Sequence, residues 1–346
     1  MRTTMTKEDG QTRSPVIAII GPTAIGKSHV ALAVAKALGT EILTADSTQV
    51  YRGMDIGTDK PTQAEQAAVP HRLIDLVDPH HPFNVGEYQR HAHNEIARLH
   101  RAGRIPLVVG GTGLYIRALF RGLRAGPPTD WDLRHQLNIE AQKKGREMIY
   151  RELVEADPKT AHHLHPHDQI KVLRALEVFR QTGTPLSDQH EHHGFRERPY
   201  HSLLIGLTMD RMALYQRIEQ RVEVELAKGL LKETQQLLAC GYHRQLVSMK
   251  SLGYRQMSAY LAEECDFEEA VRLLKRDTRH FAKRQMTWFK KEPDIVWIDV
   301  QEDETAESVS ARVLQLSQQF LAKRPSSMWM KTTTSTPVVD GANHYA

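Results

Sequence analysis

VIAIIGPTAIGKS, residues 16–28, is the stretch of this sequence that decides the fold. Its apolar run, Val16–Ile20, leads into a segment that matches G-x-x-x-x-G-K-[ST] at each fixed position, and an amphipathic pattern over His29–Leu38 follows. Strand, glycine-rich loop and helix in this order are typical of a P-loop, whose backbone N–H groups bind phosphate oxygens at the positive end of a helix. We therefore predict a phosphate-binding loop in which Lys27 adds a charge and the Ser28 hydroxyl binds Mg²⁺.

Six short apolar runs, most of them rich in Val and Ile, alternate with helical patterns along the chain. The runs are Val16–Ile20, Glu41–Ala45, Leu73–Val77, Pro106–Val109, Leu203–Leu207 and Ile295–Val300. Such alternation predicts an α/β fold, a P-loop NTPase-like core in which helices flank a parallel sheet.

The pattern divides the chain into five parts. Residues 15–125 and 200–322 are predicted to form the core, and residues 126–199, which open with Gly-Pro-Pro and contain no convincing strand, a mostly helical insertion domain. The polar residues 1–14 and the tail 323–346 are expected to be disordered.

Helical periodicity is clearest in four segments. Trp131–Lys144 and Asp168–Gln181 lie in the insertion, whereas Arg211–Leu238, one long helix or two, and Phe267–Lys291 lie in the second part of the core.

The composition of the 346-residue chain is that of a globular protein, with 40% hydrophobic and 25% charged residues. Its net charge of +4 is too small over this length to establish a nucleic-acid partner. With only Cys240 and Cys265, neither a disulfide framework nor a four-cysteine zinc site is available. The apolar run near the N-terminus is far shorter than the roughly 20 residues that span a bilayer. We therefore expect a cytoplasmic protein without a membrane partner.

Asp46 follows the second apolar run, and Gly110-Gly111-Thr112-Gly113 follows the fourth. Because the carboxyl ends of adjacent parallel strands share one crevice, Asp46 is expected to face the P-loop, where its carboxylate would bind Mg²⁺ or act as a general base. The alternative is a helix N-cap or turn residue. The glycines would let the backbone approach a ligand beside the Thr112 hydroxyl, and a left-handed turn is the alternative there.

A nucleotide triphosphatase would also carry an acid at the end of a buried strand. Leu203–Asp210 and Ile295–Asp299 each end in an aspartate, but both aspartates are better interpreted as turn residues. The P-loop alone therefore does not establish an ATPase.

Seven sequence blocks together resemble the tRNA dimethylallyltransferases, also called tRNA isopentenyltransferases, and the resemblance spans roughly residues 15–295. They are GPTAIGKS (21–28), DSTQVYRGMDIGTDKP (46–61), GGTGLY (110–115), RALEVF (174–179), RIEQRVEVELAKGLLKE (217–233), SLGYRQM (251–257) and FAKRQMTWF (281–289). The sequence lacks the Cys/His zinc finger that eukaryotic members carry, which suggests the bacterial type.

This resemblance implies that the P-loop holds the diphosphate of dimethylallyl diphosphate instead of ATP. The prenyl group would pass to N6 of the adenine 3′ to the anticodon (position 37) in tRNAs that read codons beginning with U, giving N6-dimethylallyladenosine and diphosphate. Mg²⁺ would assist, the anticodon stem-loop would be the RNA partner, and the protein would be a monomer. A P-loop small-molecule kinase that uses ATP is the alternative function.

The resemblance also assigns site residues. The catalytic pair would be Asp46, as the base that takes the N6 proton, and Thr112. The diphosphate would be bound by Gly21, Pro22, Thr23, Ala24, Ile25, Gly26, Lys27 and Ser28, with Arg217 or Arg221 adding a cation. The tRNA would be bound by Asp46, Ser47, Thr48, Gln49, Thr112, Arg134, Ile170, Lys171, Val172, Leu173, Arg174, Lys250, Ser251, Leu252, Gly253, Tyr254 and Arg255.

A basic window over residues 272–291 holds eight Lys or Arg residues against one acid, Asp277, with Phe281, Trp288 and Phe289 interleaved. Because an anticodon-loop adenine must be extruded before its amine can react, an extensive RNA-binding surface is needed, and part of this face is predicted to supply it. The alternative is an ordinary amphipathic helix with Leu273, Leu274, Phe281 and Trp288 in the core.

Overall fold

A parallel sheet of six strands lies at the centre of the computed structural model, which describes residues 13–122, 127, 129–188 and 197–323. The strands are β1 Pro15–Ile20, β2 Ile42–Ala45, β3 His71–Arg72, β4 Leu107–Gly110, β5 His201–Thr208 and β6 Ile295–Asp299, in the spatial order β3-β2-β4-β1-β5-β6. All neighbours pair in parallel. The predicted α/β fold with a parallel sheet is therefore confirmed.

Helices cover both faces of this sheet. The helices of the described chain, not all of which pack on the sheet, are α1 Lys27–Leu38, α2 Gln63–Ala68, α3 Val85–Arg101, α4 Gly113–Arg121, α5 Trp131–Lys144, α6 Arg146–Ala156, α7 Pro158–His163, α8 Gln169–Thr182, α9 Arg211–Ala227, α10 Leu230–Ala239, α11 Tyr254–Leu261, α12 Phe267–Phe289 and α13 Ala306–Ala322. Successive β1 side chains point to opposite faces, where Ile17 and Ile19 pack with α1, α9 and α13, and Val16 and Ile20 pack with α3 and α4. Burial on both faces explains why β1 is uniformly apolar.

The third strand differs from its prediction. It covers His71–Arg72 instead of Leu73–Val77, because Leu73 and Asp75 adopt left-handed backbone conformations, with φ of 67° and 53°. Residues with positive φ cannot continue a strand. Val77 keeps only an isolated bridge to Tyr51.

The helical predictions fit closely. α5 has the predicted bounds, α8 begins and ends one residue later than predicted, and the segment Arg211–Leu238 forms two helices that separate at Gly229, whose φ is 101°. The described residues between α4 and β5 form helices only, and their apolar side chains make a cluster of their own around Leu137 and Leu153. The predicted domain boundaries remain predictions, and the segments 1–12 and 324–346, expected to be disordered, lie outside the described residues.

The carboxyl ends of β1, β2 and β4 meet at one edge of the sheet. β2 and β4 approach so closely that a Cβ on Gly110 would lie 2.1 Å from the Ala45 carbonyl oxygen, so only glycine fits there. In the described part of the chain, no helix is both long and apolar enough to cross a membrane.

Candidate active site

The P-loop connects β1 to α1 and leaves several backbone donors free. Ala24 and Gly26 adopt left-handed conformations, with φ of 64° and 94°, which curl the loop tightly before α1 begins at Lys27. Within the described residues, no protein acceptor takes the N–H groups of Ala24, Ile25 and Gly26. Free N–H groups at the amino end of a helix form a site for a phosphate group.

Lys27 adds a cation to this loop. Its Nζ donates to the Pro22 carbonyl oxygen at 2.7 Å, so the side chain folds back over the loop. Burial lowers the pKa of Lys27 from 10.5 to about 8; Asp46 opposes this effect and Arg221 adds to it. The ammonium is thus poised to gain stability when a phosphate group arrives beside it.

Asp46 directly follows β2 beside the loop, and its two carboxylate oxygens differ in their hydrogen bonds. Oδ1 accepts from the Thr48 backbone N–H at 2.8 Å, from the Thr48 hydroxyl at 2.6 Å and from the Gln49 N–H at 3.4 Å. Oδ2 accepts no hydrogen bond from the residues that the structure describes. Asp46 therefore holds a turn with one oxygen, as the alternative prediction has it, while the other oxygen stays available to a substrate.

Thr112 ties the end of β4 to the turn that follows β2. Its hydroxyl oxygen accepts from the Ser47 N–H at 3.0 Å and donates to the Ser47 hydroxyl at 3.4 Å, and its own N–H donates to the Ala45 carbonyl oxygen at 3.2 Å. Thr112 and Asp46 are thereby brought into one unit, although 66 positions separate them in the sequence.

The glycines around Thr112 have a different role from the one predicted. None of Gly110, Gly111 and Gly113 has a positive φ, so the left-handed turn is wrong. The expected close approach involves protein groups here: a Cβ on Gly111 would lie 2.3 Å from Nε2 of Gln285, and one on Gly113 would lie 2.2 Å from the Trp288 ring. These glycines let α12 pack against the β4 loop.

The two candidate arginines are separated by the structure. Arg221 of α9 donates to the Thr23 hydroxyl at 2.7 Å and to Glu225 at 2.6 Å, and it lines the cavity above the P-loop. Arg217 donates to the Glu302 carbonyl oxygen at 3.0 Å and does not line that cavity, but a Cβ on Gly26 would lie 3.9 Å from its Nη1. Both arginines therefore lie beside the P-loop, and Arg221 is the one that lines the cavity.

A single cavity of about 640 Å³ joins these groups. Its floor holds Lys27, Ser28 and Asp46, and its roof comes from α9, α12 and the segment before α11. These roof elements contribute apolar side chains, Val222, Leu252, Leu274 and Phe281, as well as charged ones such as Arg221 and Arg284. The volume is that of a small-molecule site, and the mixed lining suits a ligand with an anionic and an apolar end.

The donor set at the floor fits Mg²⁺. The Ser28 side chain is exposed to the cavity and, among the described residues, forms no hydrogen bond, so it presents a free hard oxygen. The described residues contain no group of three or more His, Cys, Asp or Glu placed to hold a metal. Such a sparse set matches Mg²⁺ held by one or two protein oxygens together with substrate phosphates.

Comparison with known proteins now identifies the family. Residues 49–292 match the family described as IPP transferase, and residues 14–75 match the one described as isopentenyl transferase. The chain belongs to the IPP transferase family. It is 49% identical over 294 residues to tRNA dimethylallyltransferase 2 of Geotalea uraniireducens, with 85% of this chain and 95% of that protein covered. It is 47% identical over 293 residues to the tRNA dimethylallyltransferase of Geobacter metallireducens, with 85% and 94% covered.

Solved structures lead to the same family. A full-length tRNA isopentenylpyrophosphate transferase from Bacillus halodurans is 37% identical, with a TM-score of 0.67, and the match covers 90% of this chain and 98% of that one. A eukaryotic dimethylallyltransferase, described as acting on tRNA, is 28% identical, with a TM-score of 0.78 and coverage of 90% and 80%.

Residues 250–255 of this IPP transferase, which lead into α11, divide into two kinds. Lys250, Ser251, Leu252 and Arg255 line the cavity and can reach a ligand. Gly253 and Tyr254 are buried, and the Tyr254 hydroxyl donates to Glu233 at 2.6 Å. The side chain of Tyr254 therefore supports the wall from behind instead of facing RNA.

In the helical segment, Glu177 organises the predicted arginines. Glu177 is fully buried, and both Arg134 and Arg174 form ion pairs with it. Ile170 is 81% exposed and Lys171 is also exposed. Val172 and Leu173 are buried in the cluster of this segment, so their side chains do not face RNA.

On α12, the buried face consists of Ala270, Leu274, Thr278, Ala282, Gln285 and Phe289. The predicted core position is confirmed for Leu274 and in part for Trp288, which is partly buried and packs against the core cluster that contains Phe289. It is wrong for Phe281, which lines the cavity, and for Leu273, which is only partly buried. Four of the eight basic side chains form ion pairs, and Lys283, Arg284, Lys290 and Lys291 have no carboxylate partner in the described part of the chain. α12 therefore has a packed face and an exposed basic face, and RNA binding by part of the basic face stays a prediction.

Asp210 and Asp299, the two strand-end aspartates, lie away from the site, whereas Gln285 lies in it. Asp210 caps α9, accepting from the Met212 and Ala213 N–H groups, and Asp299 is exposed at the edge strand β6, so neither faces the cavity. Gln285 was not predicted. Its only sequence signal is its place in the block FAKRQMTWF.

Proposed function

We propose that this IPP transferase moves the dimethylallyl group of dimethylallyl diphosphate to N6 of the adenine that follows the anticodon (position 37) of tRNAs reading codons that begin with U. The products are N6-dimethylallyladenosine and diphosphate. One observation carries the proposal: Asp46 lines the same cavity as Lys27 and Ser28 of the P-loop and Arg221 of α9. One cavity thus holds both a carboxylate that can take a proton from the acceptor and cations that can bind the leaving group.

The P-loop binds the diphosphate end of the donor. The N–H groups of Ala24, Ile25 and Gly26, which have no protein acceptor among the described residues, and the cations of Lys27 and Arg221 would stabilise the negative charge that grows as the C–O bond to diphosphate breaks. Mg²⁺, held at the Ser28 hydroxyl, would neutralise part of that charge. The five-carbon chain then points toward the apolar roof.

Asp46 accepts the proton of the adenine amine. That amine is a weak nucleophile because its lone pair is delocalised into the ring, so the transfer of one N6 proton to Oδ2 as the C–N bond forms is expected to accelerate the reaction about 10²- to 10⁴-fold. Thr112 orients the turn after Asp46 through its bond to the Ser47 N–H. The roof keeps water from the allylic carbon, which would otherwise be hydrolysed.

Two regions of the protein would bind the RNA. Lys250 and Arg255 at the cavity rim, with Lys283 and Arg284 of α12, offer cations to phosphates near the extruded adenine. Lys171 and the partly exposed Arg134 and Arg174 would contact the stem. The protein is proposed to act as a monomer.

The test uses purified protein, Mg²⁺, radiolabelled dimethylallyl diphosphate and an unmodified anticodon stem-loop. Label is expected in the RNA, and the same stem-loop with guanine in place of the target adenine should take up none. Phosphoryl transfer from ATP in the absence of RNA would establish the kinase and refute this function.

A further inference from the structure

Gln285 is a buried polar residue that the proposed chemistry does not use. It lies on the inner face of α12, 7% exposed, and packs against two loops that both end at the cavity. A buried amide with both ends bonded fixes its neighbours strongly, since losing either bond leaves a buried polar group unsatisfied.

Both ends of this amide bind backbone groups of the site. Oε1 accepts from the Thr23 N–H at 2.8 Å, and Nε2 donates to the Gly111 carbonyl oxygen at 2.9 Å. Thr23 belongs to the P-loop, and Gly111 directly precedes Thr112. The side chain of Gln285 thus spans the gap between the loop for the leaving group and the loop that holds the acceptor side.

Space around Gln285 leaves little freedom for either loop. A Cβ on Gly111 would lie 2.3 Å from Nε2, so the amide and the β4 loop are in direct contact. Thr23 is held a second time, because its hydroxyl accepts from Arg221 at 2.7 Å. The Thr23 N–H is therefore bound within the protein, unlike those of Ala24, Ile25 and Gly26.

We propose that Gln285 is a positioning residue that sets the separation between the P-loop and the Asp46–Thr112 unit. This inference rests on the proposed prenyl transfer. The reacting carbon of the donor must lie between these two groups, and reactions of this kind are sensitive to displacements of about 1 Å, which can lower the rate about 10²-fold. Gln285 acts through the two loops and does not itself contact the reacting atoms.

The first variant is Gln285→Met, which keeps the length of an unbranched side chain and removes both hydrogen bonds. We expect kcat to fall about 10- to 100-fold, while the KM for tRNA stays within about twofold. Deuterium uptake by the peptide containing Thr23 should increase, because its N–H loses its acceptor. Thr287→Val is the matched control: it removes one hydrogen bond from the exposed side of α12, the one to the Lys283 carbonyl, and should leave both readouts unchanged.

An unchanged kcat in Gln285→Met, or a loss shared equally by kcat, tRNA binding and the melting temperature, would overturn the proposal. If Gln285→Met does not fold, Gln285→Glu tests the proposal in its place. It keeps an acceptor for Thr23 and loses the donor to Gly111, so kcat should still fall at least about tenfold, and wild-type kcat would overturn the idea. Failure of the wild type to label tRNA would reject the proposed function instead, and deuterium uptake would still test the bond to Thr23.

Discussion

Replacement of Asp46 by asparagine separates its two structural roles. In Asp46→Asn, the side-chain oxygen can still accept from the Thr48 N–H, so the turn over residues 46–49 persists, but the group no longer takes a proton. A lost general base lowers kcat about 10²- to 10⁴-fold, which corresponds to about 2.7–5.4 kcal/mol of transition-state stabilisation. Binding of tRNA should change little, because the turn that presents Gln49 is kept.

Asp46→Ala removes the turn as well. Hydrogen bonds to a charged acceptor each contribute about 1.5–3 kcal/mol, so loss of those from Thr48 and Gln49 should loosen the turn and raise the KM for tRNA in addition to lowering kcat. The assay is single-turnover prenylation of a labelled stem-loop with saturating donor, alongside an RNA-binding titration. Asp78→Asn is the control, because Asp78 binds the His80 N–H and Tyr242 outside the cavity. If Asp46→Asn keeps kcat within about threefold, or loses RNA affinity as much as kcat, Asp46 is structural and the base assignment fails.

Three more outcomes follow from the contacts at the site. Burial lowers the pKa of Lys27 to about 8, so its charge is present below that pH and lost above it. The KM for the prenyl donor, measured from initial rates, should therefore rise between about pH 7 and 9. In Lys27→Arg this rise should disappear, because the guanidinium stays charged. Arg221→Gln should raise the donor KM about tenfold or more, whereas Arg217→Gln should change it less than about twofold, since only Arg221 of the two lines the cavity. Equal effects of the two variants in steady-state kinetics would contradict this difference. Tyr254→Phe should lower the free energy of unfolding in urea by about 1–3 kcal/mol through loss of the bond to Glu233, with kcat retained; a selective rise in tRNA KM at unchanged stability would show that Tyr254 faces RNA.

The features that could be predicted from the sequence are those that a local pattern determines. The P-loop needs only a strand, a spacing of glycines and a helix, all within residues 15–38, and the structure has them there. Asp46 was predicted to face the loop because parallel strands end at one edge of a sheet. The family blocks then supplied the chemistry.

Features that depend on distant contacts were missed or wrong. β3 is a two-residue edge strand whose position is set by the left-handed residues after it, and an apolar run does not reveal such residues. The glycines beside Thr112 were interpreted as space for a ligand, but the space is taken by α12, some 170 positions further along the chain. Gln285 is polar but lies on the buried face of α12, so hydrophobic periodicity alone does not identify it as a buried residue.

The distribution of these errors has a physical cause. In this site Lys27 and Asp46 come from the P-loop and the turn after β2, close together in the sequence, while the side chains that hold Thr23 in place come from α9 and α12. Thr23 shows the division: its position in the sequence follows from the loop motif, but its N–H is bound by Gln285 and its hydroxyl by Arg221, 262 and 198 positions away. Charge can attract a diphosphate without those two contacts, whereas alignment of the donor carbon with the adenine amine requires them. Substitutions on the inner face of α12 should therefore lower turnover more than they weaken substrate binding, which is the opposite of what its exposed basic face should show.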